Sequence, residues 1–533
     1  MLNTAEASVI TQITQRRNDF PKALEVYAIL NVYGRNVVTT EGQEWRHQRK
    51  IASPQFNETN NRLVWKETLS QAQDMINSWF ELDKDRSITI RTVAEDAMRL
   101  SLHVISRAGF GVSLVWPGAK DVDQNEASKL KEGHTMSYTD ALSDLLEYII
   151  PVIVIPKPLL KLLPFKSTKI AFKAYNEWEK YMWEMFNQKK KLVLRGKEGK
   201  TSDLMTALLK GAGVRAQGKS VNDKPSQQTL TDQEIIGNAF VFILAGHETT
   251  ANSIHFCLAY LAMNVAAQRR LQKDLDETFQ GRPVSEWDYD RFISQLFGNM
   301  AGAVMNEELR LVPPVTGIPK CTEPGKPQPL IVGGKQCMVP GNTYIALMCH
   351  AAHRNPNSWP TGPPADPNNP YHPYSNRDND LEEFKPERWF KTNEDQKEAK
   401  MATTEVKETD DLNINAAPDT APSLFRPEKG SYIPFSDGYR SCIGRRFAQV
   451  ELLAFLALVF SQYSIELSVE EWASDEQVEK MDEIGKREVW EKAKAKIESQ
   501  MRNDMFPIIT LQLRKGHFAL RLVRRGKEVF AWK

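Results

Sequence analysis

The chain has 533 residues, 41% hydrophobic and 26% charged, which is enough apolar material for a large buried core and too much for a disordered or fibrous protein. Its 69 basic residues nearly cancel its 68 acidic ones, for a formal charge of +1, so no global field points to nucleic acid as a partner. The five cysteines, Cys257, Cys321, Cys337, Cys349 and Cys442, are odd in number and lack paired spacing, which argues against a disulfide framework and for a reducing compartment.

The N-terminus, MLNTAEASVITQITQRRNDF, lacks the apolar run of a signal peptide or a spanning helix. The chain as written is therefore expected to start without a transmembrane anchor, soluble or peripheral. In EWRHQRK, Trp45 and Arg49 stand four apart, on one face of an expected helix. Apolar residues recur at helical spacing over 62–80, 91–108, 168–194, 232–264, 299–311 and 444–460, whereas alternation is confined to short runs such as 509–513 and 518–522. The expected class is mainly α with small β-sheets. The most apolar stretch, 145–165 (LLEYIIPVIVIPKPLLKLLPF), carries four prolines, which break a spanning helix and make it a surface or interfacial loop able to touch a membrane.

Three familiar patterns fail on spacing. GKEGKT at 196–201 has Leu194 where a phosphate-binding loop needs its first glycine, and HETTA at 247–251 has Ala251 where a zinc-protease helix needs a second histidine. CHAAH at 349–353 offers possible metal ligands, but no second cluster completes a tetrahedron. No internal repeat is present, and 1–533 is expected to be a single domain. Polar insertions are expected near 361–380 and 391–424, and a charged, helix-permissive one near 469–503.

Towards the C-terminus, FSDGYRSCIG places Phe435, Gly438, Arg440, Cys442 and Gly444 at alternating fixed positions around one cysteine. Upstream stand Glu307 and Arg310 in NEELR, Arg388 in FKPERW, and Ala245, Glu248 and Thr249 in AGHETT. Taken singly, an E-x-x-R pair usually means a solvated ion pair, and an acid beside threonines usually means an exposed helix face. Taken in order, these elements closely resemble the cytochrome P-450 family, with fungal members nearest in their polar insertions, and the likeness runs from Trp45 to the final strands.

The resemblance implies the fold of that family and a haem b whose axial ligand is the Cys442 thiolate. Cys442 would sit just before a helix N-terminus, where free N–H groups and the dipole favour a thiolate. Gly438 and Gly444 would permit a tight turn beside a flat macrocycle, Phe435 would shield the sulfur, and Arg440, Trp45 and Arg49 would reach haem propionates. A structural cysteine in a loop is the alternative. Glu307, Arg310 and Arg388 would form a buried network bracing the loop. Ala245 and Gly246 would leave room for dioxygen, and Glu248 and Thr249 would relay protons. Many relatives carry an arginine where this chain has Lys320, so a propionate contact there is left open.

The implied activity is monooxygenation of a lipophilic small molecule, with dioxygen and with electrons from NADPH through a separate reductase, and a role in secondary metabolism. The chain itself has no convincing dinucleotide fingerprint. Phe240, Phe242, Val315 and Thr316 are expected pocket residues, and Arg426, Lys429, Arg440, Arg445 and Arg446 an expected basic docking patch. A haem-thiolate isomerase or dehydratase, or a non-catalytic haem binder, are the alternatives. The family resemblance implies the endoplasmic reticulum surface and a monomer. Only 44 residues precede Trp45, so the N-terminal part is expected to be truncated or to have lost its anchor.

Overall fold

The computed structural model describes residues 1–82, 87–117, 125–197, 203–215, 229–364, 378–391 and 419–532. Most of the expected insertions at 361–380 and 391–424, and the end of GKEGKT, therefore lie outside the described residues. In chain order the helices that matter here are α1 (Ala7–Gln15), α2 (Gly42–Ala52), α3 (Ile149–Val154), α4 (Lys157–Leu162), α5 (Lys166–Leu194), α6 (Asp232–Met263), α7 (Val265–Phe279), α8 (Tyr289–Gly298), α9 (Met300–Leu311), α10 (Arg445–Gln462), α11 (Asp475–Lys480) and α12 (Glu483–Asn503). The strands are β1 (Leu2–Thr4), β2 (Ser87–Ile90), β3 (Gly317–Cys321), β4 (Gln328–Val332), β5 (Lys335–Val339), β6 (Tyr344–Met348), β7 (Tyr463–Leu467), β8 (Met505–Pro507), β9 (Leu511–Leu513) and β10 (Leu520–Arg524). Helix predominates and the sheets are small. By its contacts the chain divides into two compact units, one of Met1–Pro21, Thr68–Leu100 and Glu248–Lys533, the other of Lys22–Glu67 and Ser101–His247.

In the first unit, β1 runs parallel to β6, with Leu2 opposite Ile345, and β3 pairs antiparallel on the other side of β6. The apolar stripe of α1, Val9, Ile10 and Ile13, packs with Ile318, Leu330, Ile345, Leu347 and Ile433 into one core. Each such aliphatic side chain contributes about 1.5–3 kcal/mol on burial. Helix α10 is free of glycine and proline and is apolar all round from Leu452 to Phe460, every residue of that run being buried, as expected of a helix enclosed by its neighbours. Those neighbours are α7, α8 and α9. A second sheet places β10 between β2 and β7, antiparallel to both. The charged stretch 469–503 folds into α11 and α12, the first opened by a reciprocal Ser474–Gln477 capping box and the second by Asp482, whose side chain accepts from the Gly485 N–H.

In the second unit, α5 buries Trp178, Tyr181, Met182 and Phe186. Tyr138 and Phe110 meet Trp178 edge-on, at centroid distances of 5.0 and 5.9 Å. The prolines in 145–165 stop a long helix without preventing short ones. Pro158 occupies the first turn of α4, where its missing N–H has no intrahelical partner to lose. The stretch is accordingly two six-residue helices, α3 and α4, instead of the expected loop. Gly34 and Gly237 bring another segment hard against the first half of α6: a Cβ on Gly237 would stand 2.7 Å from the Gly34 carbonyl oxygen. That contact aligns Asn238, whose Oδ1 accepts from the Val37 N–H and whose Nδ2 donates to Gln48 of α2 at 3.0 Å.

Candidate functional site

The segment before α10 is a tightly closed loop. The Cys442 N–H donates to the Phe435 carbonyl at 2.8 Å, and the Ser441 N–H to that of Gly438 at 3.0 Å. Gly438 has φ +65°, and a Cβ there would lie 2.6 Å from the Thr14 carbonyl oxygen, so the position is open to glycine on two counts. Thr14 also donates through Oγ1 to Asp437 at 3.3 Å, so α1 props the loop from one side. Arg440 ends a single 3-10 turn and is half-buried, and Gly444 is the N-cap of α10. Phe435 carries the Arg445 guanidinium 5.8 Å from its ring centroid. Cys442 is exposed although the helix that starts three residues later is buried almost throughout.

Behind the loop, Glu307 is fully buried and saturated with donors. Arg310 reaches it twice, through Nε at 2.8 Å and a terminal nitrogen at 2.9 Å, and Arg388 Nε, the Trp389 indole and the Lys385 N–H each reach it at 2.9 Å. Burial alone would raise its proton affinity, but the two guanidiniums outweigh that and hold the carboxyl at about 2. Arg310 also donates to the carbonyls of Leu381 and His353, at 2.7 and 3.1 Å. His353, which the sequence offered only as a weak metal ligand, has another task. Its Nδ1 donates to the Arg310 carbonyl at 3.2 Å and its Nε2 accepts from the Ile433 N–H at 2.9 Å, so a neutral imidazole ties the network to the segment that leads into the cysteine loop. Burial pushes its proton affinity down to about 3, in keeping with that role.

Helix α6 passes from one unit to the other between His247 and Glu248. Phe240 and Phe242, expected in the pocket, are buried in the second unit, edge-on against Tyr33 and Phe56. Ala245 is exposed and Gly246 half-exposed in the middle of this otherwise buried helix. Glu248 is buried, and its Oε1 accepts from the Thr510 hydroxyl at 2.5 Å; Thr249 is half-buried. Burial raises the Glu248 proton affinity and the Thr510 hydrogen bonds partly offset it. Nothing in the sequence signals Thr510, which lies 262 residues away. In the second unit, α2 buries both Trp45 and Arg49.

Arg445 does not serve as a free cation. It is buried and ion-paired with Asp419 at 3.2 Å, and burial raises that aspartate to about 6. Arg446 lies over the Phe297 ring at 5.1 Å, whereas Arg426 and Lys429 are exposed. Val315 is exposed, Thr316 is half-buried and its carbonyl accepts from the Cys349 N–H, and Lys320 is buried in β3.

The five cysteines differ sharply in what they can bind. Cys257 and Cys349 are fully buried, with burial pushing the first thiol far up and the second to about 12. Cys321 is half-buried in β3, and Cys337 lies on the exposed hairpin strand β5. Cys442 alone combines exposure with the start of a buried helix. Among the described residues no three His, Cys, Asp or Glu side chains converge as a ligand set. A lone exposed cysteine ahead of a helix N-terminus is a donor that suits the single axial thiolate of a haem iron.

A family model for cytochrome P-450 matches residues 1–372 and 379–484. A cytochrome P-450 monooxygenase of Arthrobotrys oligospora is 29% identical over 476 residues, 87% of this chain and 74% of that one. The phomenoic acid biosynthesis cluster cytochrome P-450 monooxygenase of Leptosphaeria maculans is 24% identical over 481 residues, 87% and 74% of the two chains. The crystal structure of the haem domain of cytochrome P-450DA shares the fold, with a TM-score of 0.63 over 98% of this chain and 88% of its own, at 18% identity. Among the described residues no helix is long and apolar enough to cross a membrane.

Proposed function

Because the chain belongs to the cytochrome P-450 family, and so to the oxygen-incorporating oxidoreductases, we propose that it is a haem-thiolate monooxygenase acting on an apolar small molecule of fungal secondary metabolism. One oxygen atom of dioxygen would enter the substrate and the other leave as water, with two electrons from NADPH delivered by a separate flavoprotein reductase. The observation that carries this reading is the exposed Cys442 in a closed loop at the head of a buried helix. The secondary-metabolic setting is taken from the biosynthesis-cluster relative.

Haem bound through Cys442 supplies the centre at which dioxygen is activated and split. The chain's own residues do the rest. The loop holds the Cys442 backbone through its N–H bond to Phe435, and, as the family resemblance implies, Phe435 would shield the sulfur once haem is bound and the N-terminal N–H groups of α10 would favour its negative charge. Arg440, Trp45 and Arg49 would hold the haem propionates, as the family resemblance implies. Ala245, small and exposed, leaves open the face of α6 on which Glu248 and Thr249 hold and pass protons. The exposed apolar side chains Val154, Leu159, Leu162 and Phe165 in and around α3 and α4 suit contact with a membrane surface.

The test is spectroscopic. Cys442→His should still allow haem uptake but abolish the red-shifted absorption of the carbon monoxide complex. Persistence of that absorption, or its loss on replacing another cysteine, removes Cys442 as the ligand.

A further inference from the structure

Thr510 occupies the turn that joins β8 to β9. Its hydroxyl lies 2.5 Å from Glu248 Oε1 and 3.0 Å from Asn252 Nδ2, and all three side chains are buried. A primary amide nitrogen can only donate, so the hydroxyl accepts from Asn252 and its single proton is left for the carboxyl. The chain of hydrogen bonds therefore has one direction, Asn252 to Thr510 to Glu248. Glu248 and Asn252 stand four apart on α6 and share a face. The turn is anchored on its other side by the Leu511 N–H, which donates to the Pro314 carbonyl at 2.8 Å.

We propose that Thr510 is a positioning residue that orients the Glu248 carboxyl for proton delivery, with Asn252 aiming the Thr510 hydroxyl. The proposal rests on the proton-carrying role assigned to Glu248 above. Burial raises the proton affinity of Glu248, and the hydroxyl and N–H of Thr510 lower it again. The other charged and titratable groups on the elements packed here are His247 and His255 on α6, Glu308 of α9, which hydrogen-bonds Ser253 on α6, and Asp504 and Arg514 flanking the hairpin. His255 stacks on Phe518 and Arg514 on Phe506. Thr510 is thus the group through which the fold sets this acid. Removing the hydroxyl withdraws a donor from the carboxylate, so the acid should keep its proton to higher pH.

The experiment uses the haem-loaded enzyme with its reductase and four variants, Thr510→Val, Thr510→Ser, Asn252→Ala and Glu248→Gln, each first checked for an intact carbon monoxide spectrum. One readout is the infrared C=O stretch of the protonated carboxyl, assigned as the band lost in Glu248→Gln and titrated with pH. The other is product formed per NADPH consumed. Thr510→Val should move the band's midpoint up by about one pH unit and lower product per NADPH about threefold or more, the scale of one hydrogen bond to a charged group. Thr510→Ser should restore both. Should Thr510→Val fail to fold, Asn252→Ala, which leaves the hydroxyl unaimed, should move both readouts the same way by less. An unmoved midpoint and unchanged coupling in the Thr510 and Asn252 variants, with coupling lost in Glu248→Gln, overturns the proposal alone. Unchanged coupling in Glu248→Gln overturns the Glu248 role and the proposal with it.

Discussion

Glu307 accepts from two guanidiniums, an indole and a backbone amide without access to water. Such a cluster repays its own desolvation and little more, so its value lies in fixing where Arg310 and Arg388 stand. Breaking it is another matter. Glu307→Gln would leave the fully buried Arg310 without a counter-charge and Arg388 with Asp380 alone at 3.6 Å, and should cost about 3–5 kcal/mol in denaturant-induced unfolding. The pH dependence follows from the directions of the shifts. Glu307 is depressed from 4.5 to about 2, so its contribution is complete above about pH 4.5 and is lost as pH falls through about 2. His353 and His255 are depressed by burial from 6.5 to about 3. The unfolded chain takes up those protons first, so stability should begin to fall as pH drops below about 6.5. Unfolding measured between pH 7 and pH 4 should show that decline, and His255→Phe should flatten it; a pH-independent stability over this range contradicts the buried, neutral state of both histidines.

Helix α1 and the cysteine loop form one mechanical element. The backbone of Thr14 closes on Gly438 where the chain turns with positive φ, and the Thr14 hydroxyl holds Asp437. A methyl group at 438 would have to displace backbone, not a flexible side chain. Gly438→Ala should therefore cost about 1–3 kcal/mol by overpacking, with left-handed strain added. Haem retention should fall with it, while Thr14→Ala, which loses one hydroxyl contact, should be milder. Normal haem content and stability in Gly438→Ala would show that the loop is not held by this contact. The short helices α3 and α4 illustrate a related point. Proline spacing excludes one long helix, yet it is silent on two short ones, because a proline in a first turn costs nothing.

With a net charge of +1 the molecule has no global field to steer a redox partner, so docking must rest on a local patch. Of the basic residues grouped around the cysteine loop, Arg445 is ion-paired with Asp419 and Arg446 is half-buried over the Phe297 ring with its charge retained, whereas Arg426 and Lys429 are exposed. If an acidic reductase meets that face, reduction should slow as salt rises, since screening acts over about 8–10 Å at physiological ionic strength. The double variant Arg426→Glu, Lys429→Glu should slow reduction several-fold at low salt and leave substrate binding unchanged. Arg445→Glu should instead destabilise the protein, because it would bury a second acid against the half-buried Asp419. A reduction rate indifferent to salt and to the double reversal would move docking to another surface.

Periodicity and motif order were enough to give the class of the molecule and to single out Cys442 as the proposed haem ligand. Helical periodicity placed 168–194, 232–264 and 444–460 within two residues of α5, α6 and α10, because a buried or one-sided helix writes its period directly into the chain. The turn and helix start around Cys442 were equally legible, since both are local in the chain. Tertiary structure decided the rest. That His353 bridges Arg310 to Ile433, that Trp389 completes the shell of Glu307, that Arg445 is consumed by Asp419, and that Thr510 holds Glu248 all depend on groups distant in the chain. A hydrogen bond needs its partners within about 3 Å and aligned, a condition on three-dimensional position that no residue spacing over 262 positions encodes.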